Sequence, residues 1–313
     1  MRRTISKRGL ICRSAAIAIL VSGLLALPVM ARPVYEAILL DAQTGQVLSE
    51  LNGDSSTPPA SLTKMMTLYL SFEALKQGRL RLDQSLPVSD YAAGRAPSKL
   101  GLMPGEAITV QDLILGVVMK SANDAAVVLA QALGGSEADF AQQMNSKARQ
   151  LGMNSTVYYN ASGLPDTNQR TTARDIARLA LSLYQQFPDE CRYFSTRLFV
   201  FRGQQLRNHN HLLDSYPGLD GIKTGFVNAS GFDLAASAVR DGRRLIGVLM
   251  GGRSATSRDR QMAALLDQGF ADVGVGQAAP GPAVASVQPS ASSRPAHTRH
   301  RSMSRARVRH RHG

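Results

Sequence analysis

Residues 221–251 run GIKTGFVNASGFDLAASAVRDGRRLIGVLMG, and the fold class follows from how this segment is built. Three runs within it, 221–227, 231–240 and 244–251, are strand-like in their small, branched and aromatic residues. Asp241-Gly242, between the last two, is a dipeptide that suits both central positions of a tight hairpin turn. Hairpin linkage makes neighbouring strands antiparallel, which excludes a parallel, doubly wound sheet. Outward on the C-terminal side, 256–270 has the periodicity of an amphipathic helix. Toward the N-terminus, 35–51 alternates around Thr44-Gly45 and predicts a second hairpin.

Between these outer parts the period becomes helical. Helices are predicted over 61–77, 109–119, 123–133 (stopped by Gly134-Gly135) and 136–151. In the last of these Phe140, Met144, Ala148 and Leu151 share one face. Thr172, followed three residues later by Asp175, predicts the cap of a further helix that stops before Pro188. Strands, a helical block, strands and a helix predict an α+β fold: an antiparallel sheet flanked by helices, with an inserted all-helical lobe over about 61–190. A cleft between the two parts is the expected place for chemistry.

The 313 residues carry 36 Lys+Arg against 23 Asp+Glu, a formal net charge of +13. That average suggests a nucleic-acid binder until it is divided along the chain. Residues 1–31 hold five basic residues and no acid, and 276–313 hold seven arginines and no acid. The stretch 32–275 keeps 24 basic against all 23 acidic residues, a net of +1. The first end has the form of a secretory signal peptide: a basic segment to Arg13, an apolar run from Ala15 to Val29, and Val29-Met30-Ala31 before the expected cut. The other end is Ala/Pro/Ser-rich, then Arg/His-rich, and is expected to be a disordered basic tail with weak, salt-sensitive contact to anionic envelope surfaces. Export and a nearly neutral body argue against nucleic acid as a partner. Two cysteines, Cys12 and Cys191, exclude a disulfide framework.

Several chemistries drop out. There is no G-x-S-x-G, and Ile222 stands where a phosphate-binding G-K-T would need glycine. His209 and His211 lack metal-ligand spacing and are expected to be turn and packing residues, so no metal is expected. A serine and lysine constellation remains. Ser61-Leu62-Thr63-Lys64 puts a hydroxyl and an amine on one helical face, and Lys64 takes the position where a capping box would have Glu or Gln. A cation in a first helical turn opposes the helix dipole by about 0.3–1 kcal/mol. That dipole and burial would lower its pKa, as a general base requires. Ser121-Ala122-Asn123 opens a predicted helix, where taken alone it is equally an ordinary cap. Lys223-Thr224-Gly225 lies on a predicted edge strand: a cation and a hydroxyl to hold a carboxylate, and a glycine to let an extended peptide lie close. Its plain alternative is an exposed strand lysine.

Each triplet occurs once, in the order S-x-x-K, S-x-N, K-T-G, on helix, helix and strand. In this the chain resembles the penicillin-binding, serine-type D-Ala-D-Ala carboxypeptidases, relatives of the class A β-lactamases. The likeness runs from about Tyr35 to Phe270 and includes 58–64, 120–124, the string NASGLP at 160–165, 208–212 and 220–225. It implies a β-lactamase/transpeptidase-like fold, peptidoglycan stem peptides ending in D-Ala-D-Ala as substrate, β-lactams as covalent inhibitors, and no cofactor. It also implies roles: Ser61 nucleophile, Lys64 base, Ser121 proton relay, and Asn123 holding the substrate amide. Lys223, Thr224 and Arg258 would face the terminal carboxylate, with the Phe226 and Ser61 amides as oxyanion hole. The E-x-x-L-N loop that deacylates class A β-lactamases is absent, so β-lactams are expected to leave slowly. Ser162 and Phe226 stand where some members of the family carry histidine. The motifs do not separate a carboxypeptidase from a DD-endopeptidase, and a non-catalytic cell-wall-binding protein is the alternative of a different class. The expected location is the periplasm or cell envelope.

Overall fold

A computed structural model describes residues 34–276; the export signal expected over 1–31 and all but the first residue of the basic tail lie outside them. The chain forms β1 (Glu36–Asp41) and β2 (Val47–Leu51), a 3₁₀ turn at Ala60–Leu62, and α1 (Thr63–Lys76). Then come β3 (Ser85–Pro87), α2 (Asp90–Ala93), β4 (Ala107–Thr109), α3 (Val110–Met119), α4 (Asn123–Gly134), α5 (Glu137–Gln150) and α6 (Ala173–Gln186). After these follow β5 (Leu198–Phe201), β6 (Gln204–Arg207), α7 (Leu212–Ser215), β7 (Leu219–Val227), β8 (Gly231–Arg240), β9 (Arg243–Gly252) and α8 (Ala255–Asp272).

Five strands form one antiparallel sheet in the order β2-β1-β9-β8-β7. The expected turns close it: Asp241 and Gly242 both take positive φ, 49° and 75°, and Gly45 takes 73°. The N-terminal hairpin joins the C-terminal strands through β1 and β9, with Leu39 opposite Gly247. Alternation sorts the side chains. Ile38, Leu40, Ile246, Val248 and Met250 face the helical block, while Leu39, Leu234, Leu245 and Leu249 pack with Met262, Leu266 and Phe270 of α8. Both faces are therefore dry, which explains why β8 and β9 are nearly unbroken apolar runs in sequence. β7 is an edge strand of this sheet.

The predicted helices are present, and α3, α5 and α6 are capped by the residues the sequence offers. Thr109 Oγ1 accepts from the Asp112 amide at 3.1 Å, Ser136 Oγ from Asp139 at 3.0 Å, and Thr172 Oγ1 from Asp175 at 3.1 Å. Two strand pairs lie outside expectation. The inserted block also contains the short ribbon β3–β4, three residues a side and too brief for an alternating pattern to register. A second hairpin, β5–β6, turns at Arg202-Gly203 with φ of 50° and 75°. The alternating run 198–207 around Arg-Gly carried that signal.

Candidate active site

The 3₁₀ turn, the start of α4, the 160–165 loop, the 96–98 segment and β7 converge on a cleft of about 520 Å³. Ser61 is not a helix cap. It lies in the 3₁₀ turn, α1 begins at Thr63, and the three-residue period of that turn aims Ser61 and Lys64 the same way. Lys64 is fully buried, and its Nζ meets three oxygens: Ser61 Oγ at 3.1 Å, Asn123 Oδ1 at 2.7 Å and the Ser162 carbonyl at 2.5 Å. No carboxylate lies within ion-pair distance of it among the described residues.

Burial, and then the charge of Lys223, hold Lys64 well below the ordinary lysine range; Asp124 and Glu137 oppose that fall. The cage then fixes where the amine's lone pair goes. The Ser162 carbonyl can only accept. Asn123 Oδ1 is oriented as an acceptor because its Nδ2 donates to the Ala96 carbonyl at 2.8 Å. These two take the two N–H bonds of a neutral amine, and the lone pair is left facing the Ser61 hydroxyl. A deprotonated Lys64 here can take a proton from Ser61 and do little else.

Ser121 is also not a cap. Ala122 holds that position in α4, while Ser121 adopts φ of 54°, a conformation costing a non-glycine residue about 1–2 kcal/mol. Its buried hydroxyl lines the cleft with no hydrogen-bond partner among the described residues. Strain and an unspent hydroxyl at one residue point to work at the site rather than to support of the helix. Asp124 behind it accepts from the amides of Leu100, Gly101 and Leu102 at 3.0, 2.9 and 3.1 Å, which ties down the segment that follows 96–98.

The 160–165 loop is closed by Asn160, whose Oδ1 accepts from the Gly163 amide at 2.7 Å and whose Nδ2 donates to the Leu164 carbonyl at 3.0 Å. Gly163 has φ of +81°, and a Cβ there would stand 1.7 Å from the Ala60 carbonyl. The loop can seat on the Ser61 turn only with glycine at this point.

On β7, Lys223 is buried, not the exposed strand lysine of the plain alternative; its Nζ donates to the Thr224 carbonyl at 2.8 Å. Burial, and then Arg258, push its pKa down to about 7. Thr224, Gly225 and Phe226 line the cleft, as does Arg258, which is 3% exposed in the first turn of α8. Gly225 needs a different explanation from the sequence-based one. Its missing side chain would point at Ala60 Cβ and Asp233 Oδ2, both 3.3 Å away, so the glycine lets the strand pack on the Ser61 turn. The Phe226 ring, half exposed, leans on Phe232 at 4.4 Å.

The spacing of His209 and His211 sets them aside as turn and packing residues, yet both line the cleft. They precede α7 on a loop pinned to β7 by Asn210 Nδ2, which donates to the Gly221 carbonyl at 3.1 Å. Desolvation against the cleft wall, then the Lys223 and Lys120 charges, push His209 down to about 4, so it is a neutral ring at pH 7. The carbonyls of Ser162 and Ala96 escape sequence reasoning as well. Backbone oxygens carry no residue-type signal.

A hydroxyl facing a buried amine whose charged form burial disfavours, in a cleft that Arg258 also lines, is equipment that serine–lysine acyl transfer would need. The chain belongs to the D-alanyl-D-alanine carboxypeptidase family, whose model matches residues 31–254. It is 34% identical over 250 residues to D-alanyl-D-alanine carboxypeptidase DacF of Bacillus subtilis, covering 77% of this chain and 63% of that protein. To DacA of Escherichia coli it is 37% identical over 240 residues, covering 74% of this chain and 60% of that protein. The match thus spans about three fifths of each relative's length. Penicillin binding protein 5 from Haemophilus influenzae superposes with a TM-score of 0.73 at 36% identity, covering 75% of this chain and 70% of that one. Penicillin-Binding Protein D2 from Listeria monocytogenes, solved in an ampicillin-bound form, gives 0.66 at 33% identity, covering 75% and 96%. The fold is that of the penicillin-binding proteins, as the sequence resemblance implied.

Proposed function

We propose that the protein is an exported serine-type D-Ala-D-Ala carboxypeptidase that removes the terminal D-Ala from peptidoglycan stem pentapeptides. The observation that carries this is Lys64, a fully buried amine hydrogen-bonded to the Ser61 hydroxyl at 3.1 Å. Lys64 takes the Ser61 proton as Oγ adds to the carbonyl carbon of the penultimate D-Ala. The carbonyl oxygen becomes an oxyanion held by the Ser61 and Phe226 amides, where one donor is typically worth about 3–4 kcal/mol. Ser121 passes the proton to the departing amine, the C–N bond breaks, and D-Ala leaves. Water then adds to the ester carbonyl and gives a proton to Lys64; the Oγ–C bond breaks, Ser61 Oγ takes that proton back, and the shortened peptide leaves as its carboxylate. Asn123 orients the substrate amide, and Lys223, Thr224 and Arg258 hold the terminal carboxylate.

Labelling by a fluorescent penicillin, with release of D-Ala from a stem pentapeptide, tests this directly. Both should vanish in Ser61→Ala; a wild-type protein that takes no label and releases no D-Ala sinks the reading. Muropeptide products then separate exopeptidase from endopeptidase action, since a carboxypeptidase leaves cross-links intact.

A further inference from the structure

One buried carboxylate outside the catalytic set reaches toward both walls of the cleft. Glu137 opens α5 directly after the Ser136 cap and is 7% exposed. Its Oε1 accepts from the Ala161 amide at 2.9 Å, and its Oε2 accepts from the Tyr91 hydroxyl at 2.7 Å, with the Arg95 guanidinium 3.9 Å away. Ala161 precedes Ser162, whose carbonyl holds Lys64; Arg95 precedes Ala96, whose carbonyl holds Asn123. The Ala161 carbonyl in turn accepts from Thr67 Oγ1 on α1 at 2.7 Å, so the loop end is fixed from two sides. A single side chain therefore joins the two segments whose backbone oxygens aim the catalytic amine and the substrate-facing amide.

We infer that Glu137 is a positioning residue for Lys64 and Asn123, fixing the two segments whose carbonyls hold them. The effect on acylation rests on the proposed function; the effect on the Lys64 titration does not. The charges acting on Lys64 are Lys223 from β7, which disfavours its ammonium form, and Asp124 from α4 and Glu137 from α5, which favour it. Those facing Glu137 are Arg95 and the Tyr91 phenol, whose own pKa is raised, first by its hydrogen bond to Glu137. Burial drives Lys64 down, and a base driven too far down no longer accepts a proton from a hydroxyl. Glu137 limits that fall.

Glu137→Gln keeps the shape and can keep both hydrogen bonds, because an amide oxygen still accepts from Ala161 and the Tyr91 hydroxyl can accept from the amide nitrogen. The test follows the titration of Lys64 by NMR on lysine-labelled full-length protein, its signal assigned by loss in Lys64→Arg. The expected result is a titration moved down by about half a pH unit or more. The acid limb of penicillin acylation should move the same way. Glu137→Ala also cuts both ties and should slow acylation roughly tenfold or more. Tyr91→Phe cuts one tie and should slow acylation while leaving the Lys64 titration in place. Should Lys64 titrate alike in wild type and Glu137→Gln, with lower thermal stability the only change, the inference is overturned. Because the titration needs no turnover, its outcome is independent of whether the protein proves to be a carboxypeptidase.

Discussion

Lys64 shows how one side chain can be assigned a task by what surrounds it. Two oxygens that only accept leave the third direction of its amine to Ser61, so replacement should remove chemistry rather than binding. Lys64→Met is expected to lower the acylation rate by about 10²–10⁴, the usual worth of a general base, while non-covalent affinity for the β-lactam changes little. Stopped-flow acylation with the two steps resolved checks this; equal losses in both would contradict it. Lys223 supports a different prediction. With a pKa near 7, Lys223 loses its positive charge as pH rises past neutrality, and the carboxylate proposed to bind it would favour the charged form again. Ligand binding at pH 8 should therefore be accompanied by proton uptake. Calorimetry in buffers of different ionisation enthalpy reads it, and the effect should be absent in Lys223→Ala.

Among the helices, strands and loops, the three motifs were legible because side-chain type and helix or strand position coincide at Ser61, Lys64, Ser121, Asn123 and Lys223. The reasons behind them were less so. Ser121 resembles a cap on paper, and only its left-handed backbone and unspent hydroxyl distinguish it from one. Gly225 suggested room for substrate, whereas the close contact is with Ala60 and Asp233. The carbonyls of Ser162 and Ala96 and the carboxylate of Glu137 act from loops and helix starts that have no pattern of their own. Gly163 makes the coupling between elements testable. A methyl group there meets the Ala60 carbonyl and an unfavourable φ together, so Gly163→Ala should cost about 2 kcal/mol or more and displace the Ser162 carbonyl from Lys64. A lowered melting temperature with acylation slowed at least tenfold is the expected pair of observations; full acylation activity would mean that the loop does not set the amine.

The fold class, the hairpins at both ends and the helical block were all readable from period and turn chemistry, because each face of the sheet is buried by a different layer. One result of that double burial was invisible: two acids sealed inside it. Glu36 on β1 and Asp233 on β8 lie on either side of the Met250–Gly251 corner of β9, and neither is exposed. Burial and then Asp233 push Glu36 up to about 8; burial pushes Asp233 up to about 8 against the pull of Ser230, Gly251 and Arg258. Between about pH 4 and 8 the folded protein thus holds protons that the unfolded chain has released, so their contribution to stability falls as pH rises through that window and levels off above it. Glu36→Gln should gain on the wild type in melting temperature as pH is raised from 5 to 8.5; a difference independent of pH would disprove the linkage. The strand order also bears on how the chain folds. Since β1 pairs with β9, the first strand of the sheet must wait for the last, with Leu39 unable to find Gly247 until nearly the whole domain is available to fold. Until β9 docks, β1 keeps an open strand edge, so misassembly and completion of the domain are decided at the seam between the two ends of the sheet.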